Sequence, residues 1–233
     1  MTSIIITGAS QGIGAATAKA FAKKNNSLFL LARDENNLKK VSEECEKLGA
    51  KTHYFVCDAT KENEVKTIAQ TILTKIDAPQ VLINNAGSYA PSDFQSMSYE
   101  LFRSQIDVNL TSSFLITQAF LPAMLGHKSG DIFFVCSIAS LGAYPNSVAY
   151  TTAKHGLLGL ARSLRLEVMD KGLRVVAIMP GAVLTPAWDG VNIPEECFIP
   201  ADDIAKVMLD IHQLDQRTNI EEVIVRPRRG DIK

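Results

Sequence analysis

A chain of 233 residues with 46% hydrophobic content can bury one sizeable core, and residues 1–233 read as a single α/β domain. A formal net charge of −1 gives no general attraction for nucleic acid or an anionic membrane. The cysteines Cys45, Cys57, Cys136 and Cys197 lack a CxxC pair, no run approaches about 18 apolar residues, and a strand begins too early for a charged leader, so a reduced cytoplasmic setting is expected.

In chain order, the apolar run 3–7 predicts a first strand. Gly8-Ala9-Ser10-Gln11-Gly12-Ile13-Gly14 follows as a turn opening a helix over 13–24. A strand over 27–32 then leads through Arg33 to an amphipathic helix over 35–48, and a strand over 52–57 to a helix over 62–75. The strand 81–84 runs into Asn85-Ala86-Gly87, ahead of one long helix over 99–125. Next come a strand over 131–137, a helix over 150–170 and a strand over 174–179. Residues 182–200 carry Pro186, Pro194, Pro200 and Trp188 without periodicity, and predict a loop over a pocket. A helix over 201–212, begun by Asp202 and Asp203, and a strand over 222–226 close the chain. Continuously apolar strands alternating with helices predict a doubly wound parallel sheet of about seven strands, Rossmann-type, with helices on both faces.

A strand passing through a glycine turn into a helix aims free N–H groups and a positive dipole end at a phosphate. In that arrangement Gly8 allows the turn, Gly12 a close approach of the pyrophosphate, and Gly14 contact between helix and strand. At the tip of the second strand an NAD-binding chain needs a carboxylate for the ribose 2′-hydroxyl. Here Ala32 stands there and Arg33 follows, whose guanidinium matches a 2′-phosphate in charge and shape. Asp34 competes for that role, or caps the helix beginning near Glu35.

Tyr150 and Lys154 stand one helical turn apart, at a spacing that puts an ammonium beside a phenol. A free phenol titrates near about pH 10, and a neighbouring cation favours its phenolate. Ser137 ends the preceding strand, where its hydroxyl can sit beside the phenol. His53, His127, His155 and His212 are scattered without metal-ligand spacing, His155 lies off the Tyr150 face, and no metal site is expected.

Taken with Asn85-Ala86-Gly87, these motifs resemble the short-chain dehydrogenase/reductase family along nearly the whole chain. The resemblance implies an NADPH-dependent carbonyl reductase, written reversibly as an alcohol dehydrogenase. It makes Tyr150 the acid/base, Ser137 the carbonyl stabiliser, and Lys154 both a modulator of the phenol and a ribose ligand; the family's spacing selects Ser137 over Ser140. It also makes Asn109 the residue that interrupts a long helix and holds a water linked to Lys154. Along the cofactor it places Gly8, Ser10, Gln11, Gly12, Ile13, Gly14, Arg33, Asn85, Ala86, Gly87, Pro180, Gly181, Val183 and Thr185. Asp58 is either an adenine contact or a helix cap ahead of Lys61.

Tyr89, Tyr144, Trp188 and Phe198 fall on segments that line the family's substrate side. The stretch 180–188 and the tail through Arg229-Gly230-Asp231 resemble bacterial sepiapterin-reductase-like members, with a 3-oxoacyl-thioester reductase as the alternative and a nicotinamide-binding regulatory protein as a third reading. Family members commonly dimerise through the helices over 99–125 and 150–170. The second of these carries Leu157, Leu158, Leu160, Ala161, Leu164 and Leu166, more apolar surface than one buried face needs, so a homodimer or homotetramer is expected.

Overall fold

The computed structural model describes residues 2–231. The strands are β1 (Thr2–Thr7), β2 (Asn26–Ala32), β3 (Lys51–Val56), β4 (Val81–Asn84), β5 (Gly130–Val135), β6 (Leu173–Pro180), two short pieces β7 (Val183–Leu184) and β8 (Ile199–Pro200), and β9 (Glu222–Val225). Seven of them form one parallel sheet in the order β3-β2-β1-β4-β5-β6-β9. The chain winds outward from β1 in both directions: Ile4, Ile5 and Ile6 stand in register with Leu28, Phe29 and Leu30 on one side and with Val81, Leu82 and Ile83 on the other. Beyond the carboxyl ends of β1 and β4 such a winding leaves a crevice.

Both sheet faces are dry, which is why the central strands are apolar through their middles. Ile4 and Ile6 belong to the core under α1 (Gly12–Phe21), α2 (Glu35–Lys47) and α7 (Ala201–His212). Ile5 belongs to the core under α3 (Glu62–Leu73), α5 (Ser112–His127) and α6 (Val148–Val168). The helix expected over 99–125 is interrupted: α4 (Tyr99–Ile106) passes through a π-helical turn at Asp107–Thr111 into α5. The combined helix Tyr99–His127 is long and apolar enough to cross a membrane by length and composition. In the fold it packs against α3 and α6.

Residues 182–200 are less loose than expected. β7 pairs with β8, which pins both ends of the segment, and single 3₁₀ turns at Pro186–Trp188 and Glu195–Cys197 lie between them. On α6, Leu157, Leu158, Ala161 and Leu164 are consumed by the protomer's own core, leaving Leu166 exposed. The apolar surplus read from that helix is therefore smaller than expected.

At the margin opposite the crevice, Asp131 and Arg174 stand at the second positions of β5 and β6, both almost fully buried. Arg174 grips Asp131 with two parallel bonds, Nε to Oδ1 at 2.6 Å and Nη2 to Oδ2 at 2.9 Å. Its remaining N–H groups donate to the carbonyls of His212, Leu214 and Thr218, which ties the end of α7 to the sheet. Removing Arg174 leaves the buried Asp131 carboxylate with only the His212 ring, whose Nδ1 lies 2.6 Å from Oδ2. Arg174→Met is expected to lower the unfolding free energy by about 3–5 kcal/mol. Urea denaturation followed by circular dichroism checks this; an unchanged midpoint would mean that the pair contributes nothing.

Candidate active site

The crevice opens into a cavity of about 1000 Å³. Its floor is the glycine turn, where Gly8 and Gly12 adopt left-handed backbone (φ +63° and +54°). Gln11 precedes the first residue of α1 without a side-chain cap bond, and the first turn of α1 carries no acid. The amides at that helix end therefore lack an internal partner and face the cavity, a geometry suited to an anion. Gly8, Ser10, Gln11, Gly12 and Ile13 line the cavity. Gly14 lies beneath the turn instead, where a Cβ would collide with the Gly8 carbonyl oxygen. The turn is locked to β4: Thr7 Oγ1 accepts from the N–H groups of Asn85 and Ala86, both at 3.0 Å, and Asn85 Nδ2 donates to the carbonyls of Thr7 and Gly8.

At the tip of β2, Ala32 and Arg33 border the cavity. Arg33 is exposed and makes no hydrogen bond or ion pair among the described residues. Asp34 has a structural task. Its Oδ1 accepts from Asn37 N at 3.0 Å and caps α2. Asp58 borders the cavity too, and the residue preceding α3 is Lys61, so Asp58 is not its cap. Its Oδ1 closes a local turn by accepting from Thr60 N and Oγ1. Burial pushes the Asp58 carboxyl up, but the Thr60 bonds with the charges of Lys61 and Arg33 outweigh it and leave the group below its usual value.

Ser137, Tyr150 and Lys154 come together on the cavity wall. Ser137 follows β5 in extended backbone, and its Oγ accepts from Ala139 N at 3.1 Å. Tyr150 is half-buried near the start of α6. Lys154, only 4% exposed, donates from Nζ to the Val135 carbonyl at 2.9 Å, with the same atom 5.6 Å from the Tyr150 ring centre. Ser140 is occupied elsewhere: its Oγ donates to the Lys154 carbonyl at 2.7 Å. Asn109 sits fully buried in the π-helical turn, with Oδ1 accepting from Ser88 N and Nδ2 donating to the carbonyls of Ser88 and Gln105. A Cβ on Gly87 would lie 2.8 Å from Asn109 Oδ1 and 3.5 Å from Lys154 Nζ, so these groups surround one small space. His155 is exposed, its ring bonded to the Thr151 carbonyl.

Electrostatics departs from the expectation that Lys154 holds the phenol down. Burial pushes the Tyr150 phenol above its ordinary value, against the neighbouring Ser137 hydroxyl. Burial also draws the Lys154 ammonium down to about 8. Both charged forms lose water, and neither finds an opposite charge in this cavity. Cys136, beside Ser137, has its thiol pushed up to about 11 by burial and is an inert packing group.

On the substrate side Tyr89, Tyr144 and Trp188 line the wall, together with Pro180, Gly181, Val183 and Thr185. The Tyr89 ring meets Tyr150 edge-on at 5.2 Å, and its hydroxyl lies 3.0 Å from Ser147 Oγ. Phe198 does not reach the wall. It is 8% exposed and packs edge-on behind Trp188 at 5.1 Å, because the β7–β8 pairing turns that part of the segment inward. Sequence reasoning missed Asp231 as a site residue. The tail brings its carboxylate onto the cavity wall, where Oδ2 accepts from Tyr144 Oη at 3.3 Å and from Arg226, while Oδ1 is buried with no partner. A single acid in a polar tail carries no periodic signal, so only the fold reveals it.

A family model described as short chain dehydrogenase matches residues 2–196. The sepiapterin reductase of Chlorobaculum tepidum is 32% identical over 238 residues, covering 99% of this chain and 98% of that protein. A metagenomic short-chain oxidoreductase solved in complex with NADP is 30% identical with a TM-score of 0.86, covering 97% and 96% of the two chains. An alcohol dehydrogenase from the archaeon Thermococcus sibiricus, complexed with 5-hydroxy-NADP, is 27% identical with a TM-score of 0.89, covering 100% and 99%.

The depressed Lys154 value has a measurable consequence. Below about pH 8 the folded protein holds a buried ammonium at a penalty. Between there and the usual lysine value of 10.5 the unfolded chain binds the proton and the folded one does not, so stability rises with pH across that window. Without nucleotide, Lys154→Met is expected to be more stable than the native protein at pH 7 by up to about 3 kcal/mol. The gap closes as pH climbs through the window. Denaturant melts at several pH values check this; a gap that does not narrow overturns it.

Proposed function

Because the chain belongs to the short-chain dehydrogenase/reductase family of oxidoreductases, we propose that it is an NADPH-dependent carbonyl reductase, reversibly an alcohol dehydrogenase, acting on a small ketone or diketone of the sepiapterin kind. The observation that carries the reading is the convergence of Ser137, Tyr150 and Lys154 on one wall of a cavity whose floor is an uncapped helix end. The cavity fits a dinucleotide: the free amides of α1 would hold the pyrophosphate and the unpaired Arg33 a 2′-phosphate, in keeping with the NADP and 5-hydroxy-NADP of the two solved neighbours.

When bound, the nicotinamide supplies the hydride. The protein handles the proton and the oxygen. Ser137 Oγ donates to the substrate carbonyl and stabilises the charge that builds on it. The Tyr150 phenol, kept protonated by burial, delivers its proton to the forming alkoxide. Lys154 holds the ribose and makes the resulting phenolate less unfavourable, while Asn109, fixed by Ser88 and Gln105, positions a proton path behind it. Of the residues that line the cavity, Val183 and Thr185 would meet the carboxamide, and Asp58 and Arg33 the adenosine.

Cofactor choice tests the first half of this reading. A charge-assisted contact is worth roughly 1.5–3 kcal/mol, about 10- to 150-fold in affinity. NADPH is expected to bind more tightly than NADH by such a factor, with Arg33→Ala narrowing the preference and Ala32→Asp turning it towards NADH. Fluorescence titration of both cofactors decides; equal affinity in the native protein sinks the assignment.

Asp231 favours a pterin-like substrate over a 3-oxoacyl thioester. The Asp231 carboxylate on the cavity wall is an acceptor that suits an N–H donor, which an aminopyrimidinone ring offers and the dicarbonyl end of a 3-oxoacyl chain lacks. A regulatory role without turnover is disfavoured by the intact Tyr150–Lys154 pair. Unpaired buried cysteines suit a reducing compartment, and we place the protein in the cytoplasm as a homodimer or homotetramer, with Phe114 and Leu166 as exposed apolar contacts. Tyr150→Phe is expected to lower turnover about 100-fold or more on every substrate. Asp231→Asn is expected to raise KM about tenfold for sepiapterin and to leave simple diketones nearly unchanged. Steady-state kinetics on both substrates checks this; equal losses on both would remove Asp231 from recognition, and near-native turnover of Tyr150→Phe would overturn the mechanism.

A further inference from the structure

A second cleft, of about 310 Å³, lies at the amino-terminal margin of the sheet, the end opposite the active site. It is built from an in-register row. Ser3 of β1 pairs with Ser27 of β2, and Ser27 with Lys51 of β3, so the three side chains project from the same sheet face. One layer in, Phe29 pairs with His53 and the two rings stack at 5.2 Å. Lys75, just past α3, closes the other side.

Three properties of this cleft point to a ligand. Ser3 and Ser27 are buried residues, at 7% and 4% exposure, whose hydroxyls have no protein partner among the described residues, although they line the cleft. Lys51 and Lys75 are cationic, exposed, and form no ion pair among the described residues. Burial first, then the charges of Lys51 and Lys75, holds the His53 imidazole below its usual value, so the field of both ammonium groups reaches the ring. Glu46, the carboxylate that opposes this effect, is engaged by the Thr52 hydroxyl at 2.7 Å. Thr52 alternates with Lys51 and His53 along β3 and so serves the other sheet face. Hydroxyls able to donate, beside two uncompensated ammonium groups, form a lining without a carboxylate.

We propose that this cleft is a binding site for a phosphate-type oxyanion, either the free ion or the terminal group of a phosphomonoester. The Ser3 and Ser27 hydroxyls would donate to its oxygens from the sheet, with Lys51 and Lys75 neutralising its charge from either side and His53 adding one N–H. Four residues of extended strand separate Ser3 from Thr7, about 13 Å, so the site is distinct from the dinucleotide crevice.

The test is calorimetric titration of inorganic phosphate and, separately, glycerol phosphate into the full-length protein, with excess NADPH blocking the main cavity. Saturable binding of phosphate is expected, weakened about tenfold or more by Lys51→Met/Lys75→Met and several-fold by Ser27→Ala, while carbonyl reduction by both variants stays near native. Glycerol phosphate binding with the same lysine sensitivity assigns the site to phosphomonoesters, and phosphate binding alone to the free ion. The lysine pair identifies the site even if NADPH does not occupy the crevice. No saturable binding at millimolar phosphate, or binding unmoved by the double variant, overturns the proposal.

Discussion

The lock between the tips of β1 and β4 is the constraint on which the rest of this molecule depends. One hydroxyl, Thr7 Oγ1, accepts two backbone N–H groups across the switch point and donates to the Ile83 carbonyl, while the Asn85 amide ties down the Thr7 and Gly8 carbonyls. Every bond in this knot joins segments more than 70 residues apart in sequence. It fixes the glycine turn relative to Gly87, and Gly87 in turn sets the space shared by Asn109 and Lys154. A shift of the β1 tip would therefore reach the cofactor floor and the reacting groups together.

The reacting groups themselves sit where stability and chemistry conflict. Burial makes the ammonium of Lys154 and the phenolate of Tyr150 unfavourable at once. Yet low polarity is what makes a hydroxyl donor such as Ser137 effective against charge developing on a carbonyl oxygen. The Val135 carbonyl provides Lys154 with one acceptor inside the protein, which leaves donors of the ammonium available for a ligand. The free protein is thus destabilised at a side chain on the cavity wall, and an occupant that accepted from Lys154 would relieve that penalty.

Legibility in the sequence followed regularity. The central strands were readable because burial on both faces leaves an unbroken apolar run, and the glycine turn because left-handed backbone restricts residue choice. The π-helical turn at Asp107–Thr111 left no mark in the periodicity; only the family resemblance placed an interruption there, at Asn109. One extra residue in a helical turn barely disturbs a 3.6-residue period, so 99–125 read as one helix. Hydropathy alone does not place that stretch either: Tyr99–His127 is apolar enough for a membrane span, yet it packs against α3 and α6. The spacing of Tyr150 and Lys154 was legible, but the direction of their titration was not. That depends on how much water each loses, a property of the assembled cavity.

Specificity is assembled from the parts least constrained by the sheet. Trp188 rests on Phe198 and is steered by the short β7–β8 pairing, and Asp231 is held by Tyr144 and Arg226 at the end of the described chain. None of these contacts belongs to the repeating pattern of strand and helix, which is why Phe198 was misplaced and Asp231 overlooked from sequence. The separation also has a physical use. A wall built from a pinned loop and a tail can change its donors and acceptors without moving Ser137, Tyr150 or Lys154, which stand just past β5 and on α6. Asp231 belongs to this part of the wall: its carboxylate is held by Tyr144 and Arg226 and makes no contact with Ser137, Tyr150 or Lys154.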